Sequence, residues 1–199
     1  MRWHKLISVL LHPVVIPTIG VLLFLFLIPI QLEKIQQYAV LSIVFVATYL
    51  IPVLILVFLK ALKLIKSFQV FSIKERKVPL VIMIFIFYAL ATIFSRLHQI
   101  RDLSTLFYGT SYALFFVYLL FILKFKASLH LLSMGSAIGF VLILTQLYSI
   151  SVLPIISILL LLSGLLASSR LHLKAHTTTE VYVGFFIGFL TQFIAFYFL

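Results

Sequence analysis

Cysteine is missing altogether from this chain of 199 residues, and aspartate and glutamate together number four. The first absence excludes a disulfide framework, a thiolate nucleophile and any cysteine-held metal. The second goes with a charged fraction of only 10%, far below the roughly one-quarter typical of soluble domains. Low-complexity segments are lacking too. So is the short apolar/polar alternation of an outer-membrane barrel, which excludes that architecture. The tetrapeptide Ser-Arg-Leu-His occurs twice, at Ser95–His98 and Ser169–His172, but nothing around it repeats. The first apolar stretch has no small-residue cleavage site and exceeds the length of a signal-peptide core, so it reads as a retained span.

Against those absences stands a composition that is 64% hydrophobic. A water-soluble protein of this size has no interior large enough to hide that much apolar surface, whereas a bilayer is the matching solvent. A span needs about 20 apolar residues at 1.5 Å rise each. Seven stretches qualify: Leu6–Ile30, Tyr38–Leu59, Val78–Ser95, Leu103–Leu123, Leu129–Leu147, Val152–Ser168 and Val181–Leu199. The uncharged run from Leu131 to Ser169 is too long for one span and is broken at Tyr148–Ser151, ahead of Pro154. His12-Pro13 with Pro17 reads as a kink in the first span. The expected fold is a single all-α domain over residues 1–199, a polytopic transmembrane helix bundle.

The formal net charge is +11, yet the cations sit in short loops between apolar segments. That placement excludes a nucleic-acid arm and points to lipid headgroups, phosphate, or orientation in the membrane. With seven spans, alternate loops lie on opposite faces. One face carries twelve of the fifteen basic residues: Arg2, Lys5, Lys60, Lys63, Lys66, Lys74, Arg76, Lys77, Lys124, Lys126, Arg170 and Lys174. The other carries Lys34, Arg96 and Arg101. By the positive-inside rule the richer face is cytoplasmic, and the compact, loop-poor plan suits a bacterial inner membrane. Lys60, Lys63 and Lys66 form a stripe that suits snorkelling to headgroups.

Three loops on that face hold polar residues that orientation alone does not require. They read Ser-Ile-Lys-Glu-Arg-Lys-Val-Pro (Ser72 to Pro79), Lys-Ala-Ser-Leu-His (Lys126 to His130), and Ser-Arg-Leu-His-Leu-Lys-Ala-His-Thr-Thr-Thr-Glu (Ser169 to Glu180). Each leads into a span, so short hairpins bring them to one end of the bundle. Fixed cations, hydroxyls, histidines and one carboxylate suit a phosphate monoester. Cations neutralise its oxygens, and imidazoles handle bond-making and proton transfer. His176 and Glu180 are four apart and share a helix face. The carboxylate can take the proton on one ring nitrogen and leave the other free to attack. Arg170 offers a fork for two phosphate oxygens.

On these residues the chain resembles the type-2 phosphatidic acid phosphatase superfamily, integral-membrane lipid phosphatases that share a site with vanadium haloperoxidases. The family's third motif is Ser-Arg, five residues, His, three residues, Asp. Here stand Ser169-Arg170, five residues, His176, three residues, Glu180. The second motif, Pro-Ser-Gly-His, is met by Ala127-Ser128-Leu129-His130. The first, Lys, six residues, Arg-Pro, is met only in residue type, by Lys74, Arg76 and Pro79. The resemblance implies that His176 is the nucleophile, held by Glu180, and that His130 protonates the leaving alkoxide. It implies that Lys74, Arg76, Ser128 and Arg170 bind the phosphate oxygens, with no metal and no cofactor. The implied partners are a lipid or polyprenyl phosphate substrate and the surrounding membrane lipids.

Other readings of the same residues stay open at this point. His176 with Glu180 is also a plausible cap at the start of a span, and His130 an interfacial histidine. A non-catalytic binder or transporter of lipid phosphates would use the same cations, and a structural membrane subunit would need none of them. His172 reads as a bystander, and His4, His12 and His98 belong to no constellation in the sequence.

Overall fold

The computed structural model describes residues 2–65, 67 and 72–198; Lys66 of the basic stripe and the terminal Leu199 lie outside them. The described residues form helices joined by short loops: α1 (Arg2–Leu10), α2 (Ile16–Leu27), α3 (Lys34–Phe45), α4 (Ile51–Ala61), α5 (Ile73–Ser95), α6 (Leu103–Leu120), α7 (Leu129–Tyr148), α8 (Leu153–His172) and α9 (Thr178–Phe198). A π-helical segment, Val46–Leu50, joins α3 to α4 in one rod, Lys34–Ala61. Pro52 has no N–H for the carbonyl of Thr48 four residues back, which accounts for the widened turn there. No strand occurs among the described residues.

Six of these helices are long and apolar enough to cross a membrane: the Lys34–Ala61 rod and α5 to α9. The protein is a polytopic helical bundle. The seventh expected span, Leu6–Ile30, is corrected. The chain breaks at His12 and Pro13 into two helices instead of kinking within one. In α1 the polar His4 and Ser8 are buried against the protein, while Trp3, Leu6, Val9 and Leu10 are exposed. That pattern makes α1 an amphipathic helix that packs its polar side on the bundle at the α8 end and leaves its apolar side outward. The 12 residues of α2 cover only about 18 Å of a hydrocarbon core about 30 Å thick. The non-helical residues after it carry the chain to the far end, where the Gln99 Nε2 donates to the Gln31 carbonyl at 3.1 Å. At the same end the Tyr148 hydroxyl donates to Asp102 Oδ2.

Helix starts reach further toward the opposite end than apolarity alone indicates. Ser72 accepts from the Glu75 N–H at 3.3 Å and Glu75 reaches back to the Ser72 N–H, a capping box that starts α5 five residues before Val78. Arg76 is thereby helical. Likewise α8 runs on past Ser168 to His172, so Arg170 and His172 occupy its last turn, where cations complement the helix dipole.

The axle of the bundle is α7, charge-free and buried along most of its length. One face joins the cluster built by α2, α5 and α6 through Leu132, Phe140 and Leu144. The other packs Leu131, Met134, Ile138 and Val141 against α8 and α9. Gly135 and Gly139 of α7 face the Phe185 and Phe189 carbonyls of α9, and Gly184 and Gly188 of α9 face the Ser128 and Leu132 carbonyls, so the two backbones touch. A Cβ on Gly135 would run into the Phe185 carbonyl, and one on Gly188 into the Leu132 carbonyl. Small residues four apart allow this approach in lipid, where packing rather than water exclusion drives helix association.

Gly188→Ala is therefore expected to lower stability by about 1–3 kcal/mol or to prevent folding. Gly164, whose Cβ would meet nothing within 4 Å, is the control. Gly164→Ala should be neutral or stabilise by roughly 0.5–1 kcal/mol through helix propensity. Thermal unfolding of the purified variants in detergent measures both.

Candidate functional site

Two long-range bonds hold the candidate end of the bundle together. The Ser128 N–H donates to the Glu180 carbonyl at 2.9 Å, fixing the start of α7 beside the start of α9. Lys126 Nζ donates to the Ala175 carbonyl at 3.4 Å, tying the loop before α7 to the loop before α9. Around this junction His12, Arg76, His130, Arg170 and His176 line one cavity of about 250 Å³. Each comes from a different stretch: the α1–α2 break, the first turns of α5, the start of α7, the last turn of α8, and the α8–α9 loop. Below them the cavity wall is apolar, with Ile55 and Leu56 of α4, Leu80, Met83 and Phe87 of α5, and Leu106 and Leu114 of α6. From Arg76 to Phe87 the lining of α5 descends about 16 Å.

His176 is buried and its Nδ1 lies 2.8 Å from Glu180 Oε2. The same oxygen accepts from the Thr177 N–H at 3.1 Å, and the Glu180 N–H donates to Thr177 Oγ1 at 3.3 Å. This is a capping box for α9, and it locks the carboxylate that orients the imidazole. An ionised carboxylate only accepts, so the ring proton sits on Nδ1 and Nε2 keeps its lone pair. The capping and catalytic readings of Glu180 thus describe one geometry. His130 is anchored differently: its Nε2–H donates to the Ser8 carbonyl of α1 at 3.1 Å, leaving Nδ1 as the other ring atom.

Charge in this cluster is unbalanced. Arg76, Lys126 and Arg170 surround one carboxylate, Glu180. Of the other three acidic residues, Glu33 caps α3, Glu75 caps α5 and Asp102 lies at the far end with Tyr148. Burial lowers the Lys126 pKa, and Arg76 and Arg170 push it further down against the pull of Glu180. Burial likewise holds His176 well below the ordinary imidazole value; Lys126 and Arg170 add to this, and the Glu180 hydrogen bond opposes it. The buried Arg170 Nε has no hydrogen-bond partner among the described residues. Half-buried cations gathered at one end of the bundle favour an anion beside them. The starts of α5, α7 and α9 all lie at this end, so their dipoles favour negative charge there as well.

Not every expected ligand reaches the cavity. Lys74 is exposed and Ser128 is fully buried, and neither lines it. Ser128 instead packs against Gly184. Two histidines with no expected role are recruited. His12 stands at the cavity rim, edge-on to His130 with ring centroids 5.1 Å apart. Burial of its inner side and the Arg170 charge lower its pKa. His4 stacks between Trp3 and His172 at 3.7 and 4.0 Å. It also bonds Ser169 at 3.2 Å, holding α1 down on α8. Among the described residues no group of His, Cys, Asp or Glu is placed to hold a metal ion. No family model, curated protein or solved structure matches the chain.

The lowered pKa of His176 sets a stability trend. Its unfolded-state value is the ordinary 6.5 and its folded value lies below that, so the unfolded chain binds more protons on acidification. The contribution is complete above pH 6.5 and is lost as the pH falls through the folded value. Thermal stability in detergent should fall between pH 7 and pH 5, and His176→Gln should reduce that slope.

Proposed function

We propose that this protein is a membrane-embedded phosphatase that hydrolyses a phosphate ester of a lipid or polyprenyl carrier. One observation carries the reading: a single cavity joins an imidazole and guanidinium mouth to an apolar shaft. A soluble phosphate would need only the mouth, and a lipid-packing cleft only the shaft. An amphiphile with a phosphate head needs both. The four-residue spacing of His176 and Glu180, and the resemblance to the type-2 phosphatidic acid phosphatases, support the same reading.

In this mechanism Arg76 and Arg170 grip the phosphate oxygens, and Lys126 adds positive charge from the loop before α7. The His176 Nε2 lone pair attacks phosphorus, a P–N bond forms, and the P–O bond to the lipid breaks. Glu180, held by its capping box, stabilises the ring as it becomes cationic. His130 enters this step as an imidazolium, with Nε2–H kept on the Ser8 carbonyl; it gives its Nδ1 proton to the departing alkoxide and is left neutral. Water then attacks the phosphohistidine, His130 takes a proton from it, and inorganic phosphate leaves with His176 regenerated. The enzyme would sit in a bacterial inner membrane with the cavity mouth toward the cytoplasm, following the twelve-to-three bias of basic residues.

The test is phosphate release by purified protein. His176→Ala should abolish turnover without unfolding the chain. Arg170→Ala should cost at least about 100-fold in kcat/KM, and Lys74→Ala little. His130→Ala should lose roughly 10²–10⁴-fold on an alkyl-lipid phosphate and recover partly on p-nitrophenyl phosphate, whose leaving group needs no proton. Wild-type rates in His176→Ala and His130→Ala would reduce the cluster to a helix cap and an interfacial anchor. Phosphate-lipid binding without turnover in the wild type would favour a binder or transporter.

A further inference from the structure

Among the described residues two hydrogen bonds tie α1 to the rest of the bundle, and both leave from one face of the helix. His4 Nδ1 lies 3.2 Å from Ser169 Oγ of α8, and the Ser8 carbonyl accepts from His130 Nε2 of α7 at 3.1 Å. His4 and Ser8 are four residues apart, so they share that face. One short helix carries both contacts, and whatever holds the first therefore places the second.

The protons at the first contact can be assigned. Ser169 Oγ donates to the Leu165 carbonyl at 2.8 Å, so toward His4 it can only accept. His4 accordingly carries its hydrogen on Nδ1 and keeps a bare Nε2, the atom that takes the next proton. The ring lies between Trp3 and His172, with centroids 3.7 and 4.0 Å away. His4 is buried, whereas His172 is exposed.

Charge around this ring has one sign. Burial lowers the His4 pKa, and so do the charges of His172 and of the chain's amino terminus. Ser169 and Trp3 are neutral. Lys5, next in the chain, is a cation on the exposed side of α1, and Arg170, next to Ser169 on α8, lines the cavity. The indole face would favour one cation, but burial and the positive neighbours outweigh it. His4 is therefore neutral at pH 7. When both rings are protonated, two imidazolium ions stacked at 4.0 Å repel.

Resting on the phosphatase reading for the part His130 plays, we infer that His4 is a positioning residue gated by a proton. Its neutral ring holds α1 on α8, and α1 in turn holds the His130 ring through the Ser8 carbonyl. A proton on His4 Nε2 undoes the stack, lifts α1 and frees the His130 ring, so the site switches off in acid.

The experiment uses the full-length protein in detergent, and its first two parts need no turnover. Trp3 is the only tryptophan of the chain, so its emission reports the His4 contact directly. Between pH 8 and pH 5 the wild type should show a step in Trp3 emission. His4→Asn, whose amide can still donate to Ser169 but cannot titrate, should show none. His172→Gln should move the step to higher pH, because one opposing charge is gone. At pH 7, His4→Ala should raise the rate at which diethyl pyrocarbonate modifies His130, mapped by mass spectrometry, at least about 10-fold, the value of one lost hydrogen bond. His4→Asn should restore much of the protection. In phosphate release, His4→Ala should lower kcat more than it changes KM, and His4→Asn should extend the pH profile on its acid side. Flat Trp3 emission in the wild type, a step that survives in His4→Asn, or equal His130 labelling in wild type and His4→Ala would overturn the inference. The expected emission and labelling without phosphate release from any lipid phosphate would overturn the phosphatase reading alone and leave the His4 latch standing.

Discussion

Backbone-to-backbone contact between α7 and α9 is the constraint on which the rest of the molecule depends. Gly135 and Gly139 on one helix and Gly184 and Gly188 on the other let the facing backbone carbonyls come close, and the Ser128 N–H to Glu180 carbonyl bond aligns their first turns. His130 is the second residue of α7, and Glu180 the third of α9. The register of two parallel helices therefore decides that these groups share one end of the bundle. Slipping either helix by one residue would rotate its polar group by about 100° away from the cavity.

Positive charge is concentrated where that register places it. Helix starts, two arginines and a lysine converge on a small volume that holds one carboxylate, itself engaged in capping α9. Such an arrangement favours negative charge at this end of the bundle, which the proposed phosphate would supply. The amphipathic helix α1 packs over this end of the bundle. Its polar side faces inward, its apolar side faces outward, and its Ser8 carbonyl accepts from the His130 ring. A segment that looks like the start of a membrane span is in this way part of the cavity roof.

Much of the bundle was legible because lipid imposes a simple rule: runs of about 20 apolar residues become helices. The break in the long uncharged run fell where it was expected, with α7 ending at Tyr148 and Ser149 turning left-handed at φ 52°. The pairing of His176 with Glu180 was legible from four-residue spacing, since it is local. The first span was not, because apolar content alone cannot separate a crossing helix from one lying in the interface. The polar pair His4 and Ser8, four residues apart and so on one helix face, was the available signal. His12 was missed for a different reason: its partners His130 and Arg170 lie more than a hundred residues away, and no spacing rule reaches that far. Arg76 and Lys74 show the finer limit. Two residues apart on α5, they point about 200° apart around the helix, and only the packed bundle decides which faces the cavity.

The central claim is that His176 uses its unprotonated Nε2 as a nucleophile inside this cavity. The most direct measurement is acid-sparing rapid quench of the wild-type protein with a lipid phosphate radiolabelled at phosphorus, followed by peptide mapping of the labelled residue. The account predicts a base-stable, acid-labile label on His176 that forms within one turnover and accumulates when hydrolysis is slowed. Full turnover with no labelled protein, or a label on any other side chain, would contradict it.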